Sequence, residues 1–404
     1  MLWSQWRSMY SSNLVITTTP ESIIRPIREN DIIELQKPNL KIPRDTTINL
    51  NTESQQQQQL SMRNLSALHV AAMYDALDSF IFLERELNIN PLIQTPENLN
   101  PFHYACYYNS YEIAMYLICK YPNEAKKIYT NTKYQYIYLC AMGHATKILV
   151  ELFKNGATFE NTQNTEANPI NYAIKIKDIE ILTILLNYAP QTKSDQGQLT
   201  PIMQAIVNSQ QSAVPLLFDH GYDPTSITAE GRTALFINLF TIKSVELTRL
   251  LCNAMDKVDI PENMKKMAAV HYICCCGIPE IAKIVLSKGI NVNRIDENNA
   301  VGPKHLVDIA SEQAALEILK LLFDYGYEVD LRADNQSNTA LGEFMLGIRT
   351  YPQIVDFLIS RNANIDLPCF NQNVKSSKNE NTIRAKLLRK PAYAKICAKY
   401  HIKK

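Results

Sequence analysis

Ser66-Ala67-Leu68-His69-Val70-Ala71-Ala72 and, thirty-four residues later, Asn100-Pro101-Phe102-His103-Tyr104-Ala105-Cys106 are two versions of one phrase. It recurs as Asn168-Pro169-Ile170-Asn171-Tyr172-Ala173, Thr200-Pro201-Ile202-Met203-Gln204-Ala205, Thr233-Ala234-Leu235-Phe236, Ala268-Ala269-Val270-His271 and Thr339-Ala340-Leu341. Degenerate copies open at Tyr134 and His305, so the starts fall at 66, 100, 134, 168, 200, 233, 268, 305 and 339, in steps of 32 to 37 residues. Weak copies that keep phase over such a distance are the mark of a stacked-repeat architecture.

Each unit carries its own physical logic. The opening residue is Ser, Asn or Thr in six copies, the residues whose side chains cap a helix N-terminus. Pro follows in three copies, at Pro101, Pro169 and Pro201, suited to a first helical turn that needs no N–H donor. The third position is apolar throughout: Leu68, Phe102, Tyr136, Ile170, Ile202, Leu235, Val270, Val307 and Leu341. A second helix with apolar residues at helical spacing follows, as in Glu280 to Leu286 and Glu317 to Leu322. Gly221, Gly289 and Gly326 stand where that helix must end.

The phrase resembles the T-P-L-H-x-A signature of ankyrin repeats, whose period is about 33 residues, and the likeness runs from Asn64 to Asp366. It implies an all-α solenoid of about nine helix-turn-helix repeats with atypical caps at both ends. It also implies extended fingers between repeats, as at Asn291-Val292-Asn293 and Glu328-Val329-Asp330, and an elongated, curved particle. The expected organisation is an N-terminal tail, divergent capping helix and Gln-rich linker over residues 1–63, the array over 64–367, and a basic cap over 368–404. Within the first part, Ser22 to Leu35 reads as the capping helix or helix pair, and Gln55 to Gln59 as linker.

Composition narrows the function. Eleven glycines in 404 residues, with no G-x-x-x-x-G-K or G-x-G-x-x-G, leave no phosphate-cradling loop. The H-E-x-x-H and G-x-S-x-G patterns are missing too. A formal charge of +1 exerts no global pull on nucleic acid or anionic membrane. Nine cysteines in no regular spacing, with no secretory signal or membrane-length apolar run, point to a reducing setting. The expectation is a cytoplasmic chain, with the nucleus as the alternative.

The cluster Cys274-Cys275-Cys276 with His271 suggests a metal site, but adjacent residues on a helix point about 100° apart and cannot converge on one ion. In the repeat frame Cys106, Cys140 and Cys274 share a position where a small buried residue belongs. His69, His103 and His271 hold the family's histidine position, which the resemblance implies ties neighbouring turns together. Cys275 and Cys276 fall on the groove side. No metal, cofactor or small-molecule substrate is expected, and no enzymatic activity.

The resemblance implies that the positions four, seven and eight residues after each opening residue face the concave groove. These are Val70, Met73 and Tyr74, then Tyr104, Tyr107 and Tyr108, then Tyr138, Ala141 and Met142, then Tyr172, Lys175 and Ile176. Later repeats are mixed: Gln204, Val207 and Asn208, then Ile237, Phe240 and Thr241. Tyrosine and methionine are common at partner-binding surfaces. Tyr74, Tyr104, Tyr107, Tyr108, Tyr138, Met142 and Tyr172 are therefore the candidate partner-binding residues.

Two terminal features remain. Leu2, Trp3, Trp6, Met9 and Tyr10 follow helical spacing in a segment read as a tail. Residues 375–404 carry ten Lys or Arg and one acid, Glu380, leaving −8 on residues 1–374. The leading expectation is a non-catalytic, monomeric scaffold or adaptor that binds an unidentified protein through its concave groove and finger tips. The alternative is charge-driven binding of nucleic acid or anionic membrane through the basic C-terminal segment, with the solenoid as spacer.

Overall fold

The computed structural model describes residues 21–37, 40, 42, 47–50, 60, 62–127, 135–159, 168–188, 199–259, 266–334, 337–370 and 382–403. The segment bearing Leu2, Trp3, Trp6, Met9 and Tyr10, the Gln55 to Gln59 linker, and Tyr134 lie outside these residues. The described regular elements are helical, and extended pairing among them is limited to the isolated bridges Ile48–Leu65, Ile295–Val301 and Pro368–Thr382. The chain divides into two compact units, Met1–Thr192 and Lys193–Lys404.

In the first unit, Glu21–Arg28 and Ile32–Leu35 precede four longer helix pairs. These are Ala67–Met73 with Leu77–Arg85, Pro101–Tyr108 with Tyr111–Lys120, Tyr136–Met142 with Thr146–Lys154, and Pro169–Ile176 with Ile179–Tyr188. The first helices stack in sequence, and Glu21–Arg28 packs on Ala67–Met73 as the first layer. The second unit repeats the plan with Pro201–Val207, Ala234–Phe240, Ala269–Cys276 and Ala340–Leu346, each followed by its second helix.

Capping follows from residue type. Asn100, Asn168, Thr200, Thr233 and Thr339 each accept backbone N–H bonds from the turn they open. The apolar third positions Leu68, Phe102, Ile202, Leu235 and Leu341 are buried, each contributing about 1.5–3 kcal/mol. Gly221, Gly289 and Gly326 adopt φ of 76°, 70° and 87° at the ends of second helices.

The histidines bridge layers. The Ser66 N–H donates to His69 Nδ1 at 3.0 Å, which leaves His69 Nε2–H to donate to Leu99 O at 3.1 Å in the next turn. His271 does the same between the Ala268 N–H (3.1 Å) and Ala300 O (3.1 Å). Burial lowers His69 to about 4 and His103 to about 3.

Two details of register differ from the sequence expectation. In the well-marked pairs of the first unit and the first of the second, the N–H ten residues after the opening residue donates to the carbonyl five residues after it. The bonds are Ala76 to Ala71, Ser110 to Ala105, Asp178 to Ala173 and Gln210 to Ala205. The same bond in the third pair is Ala145 to Cys140 at 2.9 Å, and its cap is Gln135. This repeat therefore opens at Gln135 rather than Tyr134, so Tyr138 takes the histidine place and Cys140 the alanine place. Cys140 thus does not share the position of Cys106 and Cys274. The degenerate copy read from His305 opens instead at Val301, where Gly302–Asp308 forms a 3-10 helix. Leu306 is buried instead of Val307.

The C-terminal segment closes the second unit. Ile383, Leu387, Tyr393 and Ile396 are buried. The Tyr351 N–H donates to the Tyr393 hydroxyl at 3.2 Å, and Lys390 Nζ donates to Met345 O at 3.0 Å. Arg384 grips Asp366 at 2.5 and 2.9 Å, and Lys399 lies 2.7 Å from Asp356.

Two outcomes follow. A histidine depressed on folding takes its proton first in the unfolded chain. Its stability contribution is therefore complete above the ordinary histidine pKa of about 6.5 and is lost as pH falls toward the folded value. For His69 the loss approaches about 3 kcal/mol by about pH 4. Melting temperature should fall steadily from about pH 7 to about pH 5, less steeply in His69→Gln. Leu387→Asp should cost more than the roughly 2–5 kcal/mol of a buried Leu→Ala change, and deleting Lys403 and Lys404 should leave the melt unchanged. Thermal denaturation of both variants tests the cap.

Candidate functional site

The expected tyrosine face divides into buried and open members, and the helix geometry explains the division. Tyr104, four residues after its opening residue, points into the layer beneath. It is fully buried, with its ring set edge-on to His69 at 5.1 Å and 81°. Tyr138 and Met142 are each only 8% exposed, because the one-residue register change turns Tyr138 toward the interior. These three side chains belong to the packing, so their assignment as surface anchors is corrected.

Tyr74, Tyr107, Tyr108 and Tyr172 remain open. Tyr74 is 44% exposed, and the other three are half-buried. Tyr107 and Tyr108 meet edge to face at 5.1 Å, and Tyr172 meets Tyr138 at 5.2 Å. Burial, then the neighbours Tyr107 and Tyr74, push the Tyr108 phenol up to about 12. Burial and then Tyr107 also raise Tyr172. Tyr74, Tyr107 and Tyr108 thus lie on the first two helix pairs of the first unit, and Tyr172 on the fourth. Between Tyr108 and Ile176 the equivalent place is Gly143, whose missing side chain lets that helix end approach Tyr107. A Cβ there would lie 2.0 Å from Tyr107 O.

Polar groups near this face are mostly committed to the fold. Both Asp75 oxygens accept backbone N–H bonds, from Glu112 (3.2 Å) and Ile113 (3.0 Å). On the second helices, Glu84 accepts from Lys120 at 2.7 Å, Tyr121 at 2.8 Å and the Tyr116 hydroxyl. Burial pushes its carboxyl up, but those hydrogen bonds hold it below the ordinary value.

The cysteine cluster has the surroundings of structural thiols. Cys274 is fully buried and raised by that burial. Cys275 lines a cavity of about 300 Å³ with Lys243, Cys276, Gly277, His305 and Asp308. Burial pushes its thiol up to about 11 despite Lys243, and Lys243 Nζ caps the helix end by donating to Cys276 O at 3.0 Å. A thiol so shifted is protonated at neutral pH and a poor nucleophile. Among the described residues no three His, Cys, Asp or Glu side chains are placed to hold a metal ion.

The comparisons agree with this architecture. The profile of a family described as ankyrin repeats (3 copies) matches residues 137–228. A putative ankyrin repeat protein of Acanthamoeba polyphaga mimivirus is 24% identical over 239 residues, covering 57% of this chain. The chain carries ankyrin repeats, matched by that profile over residues 137–228. It spans 30% of the length of that viral relative. Ankyrin repeats as a class mediate protein–protein interaction and are generally non-catalytic.

In the ankyrin frame two groove positions of the second unit that were not among the candidate residues are open. Val207 is 49% exposed and Phe240 is 68% exposed. Both stand seven residues after their opening residues, the place Tyr107 holds, as the groove pattern expects. Tyr104→Ala should destabilise by about 3–5 kcal/mol, as for a buried aromatic, while Tyr74→Ser and Tyr107→Ser should each stay within about 1 kcal/mol of the parent. Denaturant titration distinguishes core from face.

Proposed function

We propose that the chain is a non-catalytic scaffold or adaptor whose protein partner docks on the face formed by Tyr74, Tyr107, Tyr108 and Tyr172. The observation that carries the reading is that these rings stay open on the first, second and fourth helix pairs, with Tyr107 and Tyr108 in edge-to-face contact. Aromatic groups of this kind supply the anchors of protein interfaces, since each brings large apolar area at low conformational cost. The buried Tyr138 and Met142 support the face from beneath. The chain acts as a monomer in the cytoplasm, and no helix among the described residues is long and apolar enough to cross a membrane.

The charge-driven alternative has less support. Arg384, Lys390 and Lys399 of the basic segment hold Asp366, Met345 O and Asp356 within the second unit. Such cations are not free to follow a phosphate backbone.

The test is a crosslinking pulldown with the intact chain and a variant carrying Tyr74, Tyr107, Tyr108 and Tyr172 changed to Ser. Truncating interface anchors typically costs about 2 kcal/mol or more each, so the variant should lose the captured protein while keeping its helical circular dichroism. Retention of the partner by the folded variant would move the interface elsewhere. Loss of capture on changing Lys395 and Lys403 to Glu, with the tyrosines intact, would favour the basic segment.

A further inference from the structure

The tyrosine face is chemically asymmetric. At its Tyr172 end, Lys175 takes the column place that Met73, Tyr107 and Met142 hold on the preceding first helices. Lys175 lies one helical turn from Tyr172 on the helix Pro169–Ile176, hence on the same side. Lys177 follows at the helix end, with φ of 60°. Both lysines are exposed, and neither makes an ion pair among the described residues.

Of the acids beside them, Glu180 is exposed and Asp178 is engaged. Asp178 accepts from the Ile181 N–H at 3.0 Å and pairs with His144 Nδ1 at 2.8 Å. The phenol hydroxyls of Tyr107 and Tyr172 make no hydrogen bond among the described residues. The face therefore offers aromatic surface together with exposed lysine donors at one end.

We infer that this face binds an acidic segment of a partner protein, with an apolar or aromatic side chain on Tyr107 and Tyr108 and its carboxylates toward Lys175 and Lys177. This rests on the reading of the tyrosine face as a protein-binding surface. A single-stranded nucleic acid would also stack on tyrosines, but it needs cations along its whole backbone. Here the two lysines sit at one end only, and Asp78, Glu112 and Glu180 are exposed at the starts of the second helices. The pattern suits a short acidic stretch beside an apolar anchor, where complementary charge sets orientation and specificity.

The probe is a phage-displayed random-peptide library panned on the intact chain, with selected peptides measured by fluorescence anisotropy. The expected consensus places Asp or Glu beside an aromatic or aliphatic residue. Binding should weaken about tenfold when Lys175 and Lys177 are both changed to Glu, and should weaken with added salt. It should also be lost when Tyr107 and Tyr172 are both changed to Ser. Peptides that need the tyrosines but ignore the lysine reversal would overturn this inference alone. Peptides indifferent to the tyrosines, or no enriched peptide, would overturn the protein-binding face as well. Equal competition by oligothymidylate would assign the face to nucleic acid instead.

Discussion

Helices of seven residues, such as Ala67–Met73 and Ala234–Phe240, are well below the roughly 12–15 residues at which a helix begins to hold itself in water. Each first helix persists because the helices beside it bury its apolar side. Leu68, Phe102 and Leu235 are therefore buried without exception, and the outermost layers need covers. Glu21–Arg28 supplies one through Ile23, Ile24 and Ile27. The C-terminal helices supply another through Ile383, Leu387 and Tyr393.

Polar bonds set the spacing that apolar packing leaves loose. His69 and His271 each join the start of one repeat to the turn of the next. This requires neutral rings, so the same burial that positions them makes the stack sensitive to acid. Carboxylates and amides make comparable links. Asn30 accepts from the Ser79 N–H, Asp75 from Glu112 and Ile113, and Glu312 from Gln353 and Ile354. Each lies at the end or start of a helix and caps a second helix. Asp75 and Glu312 are thus committed to holding neighbouring repeats together.

The functional surface is what this construction leaves unused. Residues two, three and five places into each repeat face neighbouring layers, while those at seven and eight places can remain open. A ring at four places depends on what lies below. Tyr104 meets His69 and is buried, whereas Tyr172 meets Tyr138 and stays half-open. One residue type in one pattern position therefore has two fates.

The amino-acid sequence by itself determined the helical repeat, the capped openings, the buried third positions and the ends of the second helices. These depend on local propensities and on a period that survives weak copies. It did not determine that the third repeat opens at Gln135, that Val301 opens the 3-10 turn, or that Tyr138 and Met142 are interior. A degenerate copy has too few marked residues to fix register, and one step around a helix turns a side chain by about 100°. Nor could it separate Tyr104 from Tyr107, or the engaged Asp75 and Asp178 from the free Lys175 and Lys177. Exposure and pairing are set by the adjoining layer, about thirty residues away in sequence, and only the tertiary structure brings that layer into contact.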